Sequence, residues 1–452
     1  LAVTGVQTCA LPISSHTGTV TLATASAIGT PTPTDTLSLN SPLTGQSLTK
    51  VGSGTLNLSG ISSYAGGTTV AGGTLHLSAG AVLPSLGAVS LAGGGILELN
   101  EANQRIGNLS GLAGTGISLG SGSLTVSQAS DGSFAGTLGG SGDLIKQGTA
   151  SLTLSGVNTT YTGTTRVQAG TLVAAGSGSA LGTGAVQVSG GATLEIDGVA
   201  LATGGLTLNG SGVGGAGALR GRGTASHSGA VTLATASAIG AAASDTLRLA
   251  NPITGQALTK VGAGTVELSG SNSYAGGTTV EAGRLRLLAG ASLPSLGAVS
   301  LTGSGVLDLN GTSQSIGNLS GASGTTIALG NGTLTLTQSA AGSFAGLVTG
   351  SGNLTKQGSA RLALSGASTG YSGTTRVQAG TLAATGSGSA LGTGAVQVSD
   401  GATLVIDGVT LGVSSISLRG AGVGGLGALT GTGGAGYSGA LSLTGPDRKS
   451  VV

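Results

Sequence analysis

Leu48-Thr49-Lys50-Val51-Gly52-Ser53-Gly54-Thr55-Leu56-Asn57-Leu58-Ser59-Gly60, continued by Tyr64-Ala65-Gly66-Gly67-Thr68-Thr69-Val70 and closed by Gly73-Thr74-Leu75, is the stretch that decides the fold. Apolar and polar residues alternate in it with period two, the mark of a strand with one buried and one wetted face. Glycine clusters cut it into short pieces and permit sharp corners. The pattern returns as Leu144-Ile145-Lys146-Gln147-Gly148, Leu152-Thr153-Leu154-Ser155-Gly156, Tyr161-Thr162-Gly163-Thr164-Thr165-Arg166-Val167 and Gly170-Thr171-Leu172, with further copies starting at Leu258 and Leu354. The spacer before Tyr161 is one residue longer than that before Tyr64, which a corner absorbs.

These copies belong to a longer period. Asp35 and Asp245, Lys50 and Lys260, Tyr64 and Tyr274, Phe134 and Phe344, Arg166 and Arg376, and Asp197 and Asp407 each stand 210 residues apart. The start of the unit appears as His16-Thr17-Gly18-Thr19-Val20, His227-Ser228-Gly229-Ala230-Val231 and Tyr437-Ser438-Gly439-Ala440-Leu441. The expected organisation is therefore a first unit over 14–225, a second over 226–435 and the start of a third over 436–445. Further alternating pieces, such as Leu75-His76-Leu77, Val89-Ser90-Leu91, Leu194-Glu195-Ile196 and Leu206-Thr207-Leu208, fill the intervals, and no helical pattern of ten residues lies between them. Strand-helix-strand crossovers are thus unavailable. A chain of equivalent short strands with tight corners winds most economically as a coil, each turn pairing with its neighbours. With about 20 to 25 residues per turn, residues 14–445 make about 20 turns. Leu, Val, Ile and Ala fill a narrow core and Thr and Ser face outward; large aromatic rings are not expected to fit inside.

Composition agrees. Of 452 residues 93 are glycine, against 8 prolines without a period of three, which excludes collagen. With 16 basic and 14 acidic residues the chain is too charge-poor for the disordered class. No run of 18 apolar residues exists to make a membrane-spanning helix, and five Tyr, two Phe and no Trp cannot build the girdles of a membrane barrel. A net charge of +2 without a basic stripe argues against nucleic acid.

The two ends differ in texture. Residues 1–13, with the single cysteine Cys9, and residues 446–452 resemble in-frame translations of sequencing adapters, so both are expected to be artefacts flanking the natural segment. Without Cys9 no disulfide or thiolate metal site is available.

The four Leu-x-Lys-x-Gly, Leu-x-Leu-Ser-Gly, Tyr-x-Gly-x-Thr-x-Val, Gly-x-Leu copies resemble the passenger-associated transport repeat of bacterial autotransporters. With flanking strands and the doubled unit, the resemblance covers most of residues 15–445. It implies a right-handed parallel β-helix, type V secretion to the outer face of the outer membrane, and an outer-membrane translocator barrel beyond the C-terminal end of this segment. Stacked turns suit such export, since each emerging turn finds its pairing partner in one already folded.

Several stretches mimic chemistry. Gly116-Ile117-Ser118-Leu119-Gly120 fits the serine-hydrolase pattern, which needs a helix after the serine and an acid and histidine in space. No helix signal follows, and an ordinary strand serine accounts for Ser118. Gly212-Val213-Gly214-Gly215-Ala216-Gly217 and Gly422-Val423-Gly424-Gly425-Leu426-Gly427 fit the dinucleotide fingerprint but lack the helix that would hold a pyrophosphate. Leu219 stands where a calcium-binding nonapeptide needs its aspartate. His16, His76 and His227 are read as exposed strand or corner residues, not metal ligands. Glu98 with Glu101, and Glu195 with Asp197, are the closest carboxylate pairs; the second pair shares a strand face, as a glycosidase pair would, yet Val405 replaces Glu195 in the second unit and no basic residue adjoins it in sequence. Solvated strand-edge carboxylates explain them. Lys50, Lys146, Lys260 and Lys356 are read as part of the repeat's corner, with surface binding as the alternative.

The sequence therefore points to an all-β, right-handed parallel β-helix without catalytic, cofactor-binding or metal-ligating residues. The function expected is a non-catalytic passenger or stalk that aids its own export and displays an adhesive or self-associating surface toward host glycans or proteins. A polysaccharide lyase or hydrolase on the same fold is the runner-up. Ice or crystal binding through arrays such as Thr333-Leu334-Thr335-Leu336-Thr337 is a third reading.

Overall fold

A computed structural model describes residues 15–445 together with the strands Ala2–Val3 and Val6–Thr8. Short strands follow one another throughout, and the only helical pieces among the described residues are the three-residue turns Val213–Gly215 and Val423–Gly425. The described strands pair in parallel, each with a strand one turn away. The step runs from 19 residues, as between Leu37 and Leu56, to 26, as between Leu201 and His227. The fold is a parallel β-solenoid. Contacts divide the chain into two compact units, 1–232 and 233–452, each wound in this way.

In the first unit Leu48, Thr68, Val89 and Leu109 occupy one column on successive turns, and in the second Leu258, Thr278, Val299 and Leu319 do the same. Parallel strands one residue deep per turn satisfy every backbone group along the column without any helix, at a rise of about 4.8 Å. Alternation then sorts the side chains. Leu75 and Leu77 are buried while His76 between them is partly exposed. Leu56, Leu75, Leu97, Ile117 and Leu138 stack into one inward column, none more than 3% exposed. Each contributes roughly 1.5 to 3 kcal/mol of burial energy.

The aromatic residues contradict the expectation that rings would be kept out. Tyr64, Tyr161, Tyr274, Tyr371, Phe134 and Phe344 are all buried. Glycine makes the room: Phe134 pairs with Gly111 on the preceding turn, and a Cβ on Gly111 or Gly136 would lie 2.6 to 2.7 Å from its ring. The ring fills the volume that two absent side chains leave.

Glycine has a second use at the corners. Gly198 adopts the left-handed conformation expected there, with φ of 64°. Gly163 does not. It belongs to a stack, Gly122, Gly142, Gly163 and Gly184, in which a Cβ on each of the last three would be driven into the carbonyl oxygen of the glycine one turn earlier; Gly332, Gly352, Gly373 and Gly394 repeat it in the second unit. Close approach of successive turns, not backbone angle, demands glycine at these positions.

Of the leading stretch read as adapter, Ala2–Val3 pairs with Thr21 and Leu22, and Val6–Thr8 with Ala27, Ile28 and Gly29. Cys9 and residues 446–452 lie outside the described residues.

Candidate functional site

The most distinctive chemistry sits at the repeat corner. Lys50 is in phase with Leu48 on the strand Leu48–Val51, so alternation points it inward, and its side chain is 0% exposed. Its Nζ donates to three carbonyl oxygens: Val51 at 2.9 Å, Gly52 at 2.8 Å and Gly72 at 3.0 Å. Lys146, Lys260 and Lys356 are equally buried and make the same three bonds. Removal from water lowers each of the four to about 8. A surface-binding role is closed to them. The signal was present in the sequence, since every one of these lysines falls on the apolar phase of its strand.

Each repeat also buries its tyrosine. The Tyr64 hydroxyl lies 2.6 Å from Thr68 Oγ1, and that of Tyr274 lies 2.7 Å from Thr278 Oγ1. The Leu144 and Leu354 amides donate to Tyr161 and Tyr371 Oη at 3.0 and 3.1 Å. Burial pushes the phenols upward, Tyr64 to about 12.

Ser118 does have an acid and a histidine nearby. His76, Glu98 and Ser118 form one outward row on three successive turns, with His76 Nδ1 3.0 Å from Glu98 Oε2. The order is wrong for nucleophilic catalysis: the base must touch the serine and the acid must lie behind it, whereas here the acid separates the other two. The open depression at Ser118, about 440 Å³, is lined by Thr115, Thr137, Thr160 and neighbouring glycines without any acid or histidine. The corresponding row in the second unit is Arg248, Glu267, Arg286, Asp308 and Ala328, a ladder of alternating charge in which Arg286 lies 3.7 Å from Glu267 and 3.6 Å from Asp308. Glu101 sits apart from Glu98 in an exposed, left-handed position with φ of 69°.

Glu195 and Asp197 do share a strand face, but Glu195 is only 8% exposed, so the reading of a solvated carboxylate is corrected for it. The next turn supplies the cations that the local sequence lacks. Arg220 pairs with Glu195 at 3.4 Å and Arg222 with Asp197 at 3.6 Å. Both acids are thus paired with arginines of the next turn.

His227 is likewise corrected from exposed to buried. It falls in the inward phase with Ala225, its Nδ1 donates to the Leu201 carbonyl at 3.2 Å, and burial lowers its pKa. His16 and His76 are partly exposed. Among the described residues no group of three His, Cys, Asp or Glu is arranged to hold a metal. The glycine runs at Gly212 and Gly422 lead into three-residue turns and strands, not into a helix N-terminus.

A family model described as the passenger-associated-transport-repeat matches residues 48–77, 144–174, 258–287 and 354–384, the four segments that carry the lysine and tyrosine corners. The chain is 34% identical over 331 residues, 72% of its own length, to the adhesin BmaC autotransporter of Brucella suis biovar 1 (strain 1330). The chain belongs to the autotransporter passengers. It spans 9% of the length of that relative. No solved structure matches it. As a passenger it is a cell-surface protein on the extracellular side of the outer membrane, and each of the four matched repeats places one buried lysine at its corner.

Proposed function

We propose that this passenger segment is a non-catalytic adhesive stalk, exported with the help of its own turn-by-turn folding and anchored through a C-terminal translocator barrel of the whole protein. The observation that carries the reading is the likeness to an autotransporter adhesin over 72% of the chain, beside the four matched repeats. The surface chemistry supports it: Ser118 lacks a base, Glu195 and Asp197 are bound by arginines, and outward rows such as Thr49, Thr69, Ser90 and Ser110 present hydroxyls on successive turns. Six of the seven aromatic rings are buried, so contact with a receptor runs through hydroxyls, backbone and arginine and not through ring stacking.

The test is adhesion of beads coated with the purified chain to host-cell monolayers, with soluble chain as competitor. Capture above uncoated beads that soluble chain abolishes is the expected result. No capture, together with release of reducing ends from a polysaccharide panel, would overturn the reading in favour of an enzyme.

A further inference from the structure

The geometry points to a primary-ammonium site in each repeat, formed by three converging carbonyl oxygens and occupied by the chain's own lysine, which thereby latches one turn onto the next. Two oxygens come from the lysine's own corner. The third belongs to the following turn, 22 residues on for Lys50 and Lys260 (Gly72 and Ala282) and 23 for Lys146 and Lys356 (Ala169 and Ala379). All twelve bonds lie between 2.6 and 3.1 Å.

The match of donors to acceptors identifies the tenant. No backbone amide is described as donating to the oxygens of Gly52 and Gly72, or to their counterparts, so the lysine ammonium is the partner described for them. An ammonium has three N–H groups on one compact atom and no acceptor, and three oxygens converge on it. A guanidinium spreads its donors over a plane and does not fit the same point. None of the described ion pairs includes these lysines, so carbonyl oxygens are their direct partners, with Asp131 adding a longer-range attraction at Lys146.

The use of lysine across the chain follows the same rule. Of five lysines, four are these tenants and the fifth, Lys449, lies outside the described residues. Every exposed cation of the described solenoid is an arginine. The latch is thus open in the unfolded chain, where all its amines are solvated, and closed once the next turn is in place.

Two measurements on the full chain at pH 7 test the site. In the first, an amine-reactive ester should modify Lys449 and the α-amino group of the folded protein, leaving Lys50, Lys146, Lys260 and Lys356 unlabelled until denaturant is added. Labelling of the four at the rate of Lys449 in the folded protein would overturn the proposal. In the second, Lys260→Ala should lower the unfolding midpoint, and methylammonium should recover part of the loss in a saturable manner. Tetramethylammonium, which has no N–H, and sodium chloride at equal ionic strength should not. Equal recovery by all three salts, or a Lys260→Met variant as stable as the parent, would refute an ammonium site.

Discussion

Glu195 and Arg220 are 25 residues apart in sequence and 3.4 Å apart in space, one directly above the other on adjacent turns. A parallel coil converts a separation of one turn into contact, so an interaction that no local reading detects becomes a nearest-neighbour contact. The second unit shows that the pair is dispensable as a pair, since Val405 and Thr430 occupy the same two positions there.

Breaking that pair on one side should cost more than replacing both partners. Arg220→Thr leaves a nearly buried carboxylate without its cation, a loss of about 1 to 2 kcal/mol given that the arginine is itself partly exposed. The double change Glu195→Val with Arg220→Thr should restore most of it. Urea unfolding of the two single variants and the double gives the coupling; a double variant no more stable than Arg220→Thr would contradict the account.

Gly163→Ala should destabilise the first unit by about 1 to 3 kcal/mol, the range for overpacking against a neighbour that has nowhere to move. Its Cβ meets the Gly142 carbonyl. Gly190→Ala is the control: nothing lies within 4 Å of a Cβ there and the backbone is not left-handed, so its effect should stay within about 0.5 kcal/mol. Similar denaturation midpoints for the two variants would remove the close-approach argument for the glycine stacks.

Stability should pass through a maximum in alkaline solution. The four buried lysines titrate at about 8 in the folded chain against 10.5 for the free side chain. Between those values the unfolded chain holds more protons, so their contribution to stability grows as the pH rises through that window. Tyr64, pushed up to about 12 from 10, keeps its proton to higher pH when folded than when unfolded, and the stability it contributes below pH 10 is lost as the pH rises toward 12. Urea midpoints between pH 7 and 12 should climb above pH 8 and fall above about pH 10.5. A profile that is flat or descending from pH 8 to 10 would mean that the carbonyl cages hold the lysine proton as well as water does.

Ser118 should be chemically ordinary. With Glu98 between it and His76 there is no base to take its proton. A fluorophosphonate probe should leave it unmodified, and peptide mapping that finds the adduct at Ser118 would reverse that conclusion.

The class of fold and the position of the corners are legible in the order of residues alone. Period-two alternation tells which side of Leu75-His76-Leu77 faces inward, and the 210-residue spacing of Tyr64 and Tyr274 shows that the unit is built twice. Both are local or strictly periodic properties, readable without knowing any contact. The same alternation carried the burial of Lys50 and His227, but residue type argued the other way, because burying a cation or an imidazole is unfavourable until its partners are known. The third carbonyl of each lysine and the Leu201 carbonyl that His227 meets lie on another turn, and the folded coil alone brings them into reach. It also decided that Phe134 lies against Gly111, that Gly163 has no space for a side chain, and that Arg220 lies over Glu195. The reason is the variable length of the turn: with 19 to 26 residues between stacked positions, the neighbour above any residue follows from how each corner closes and not from a fixed count along the chain.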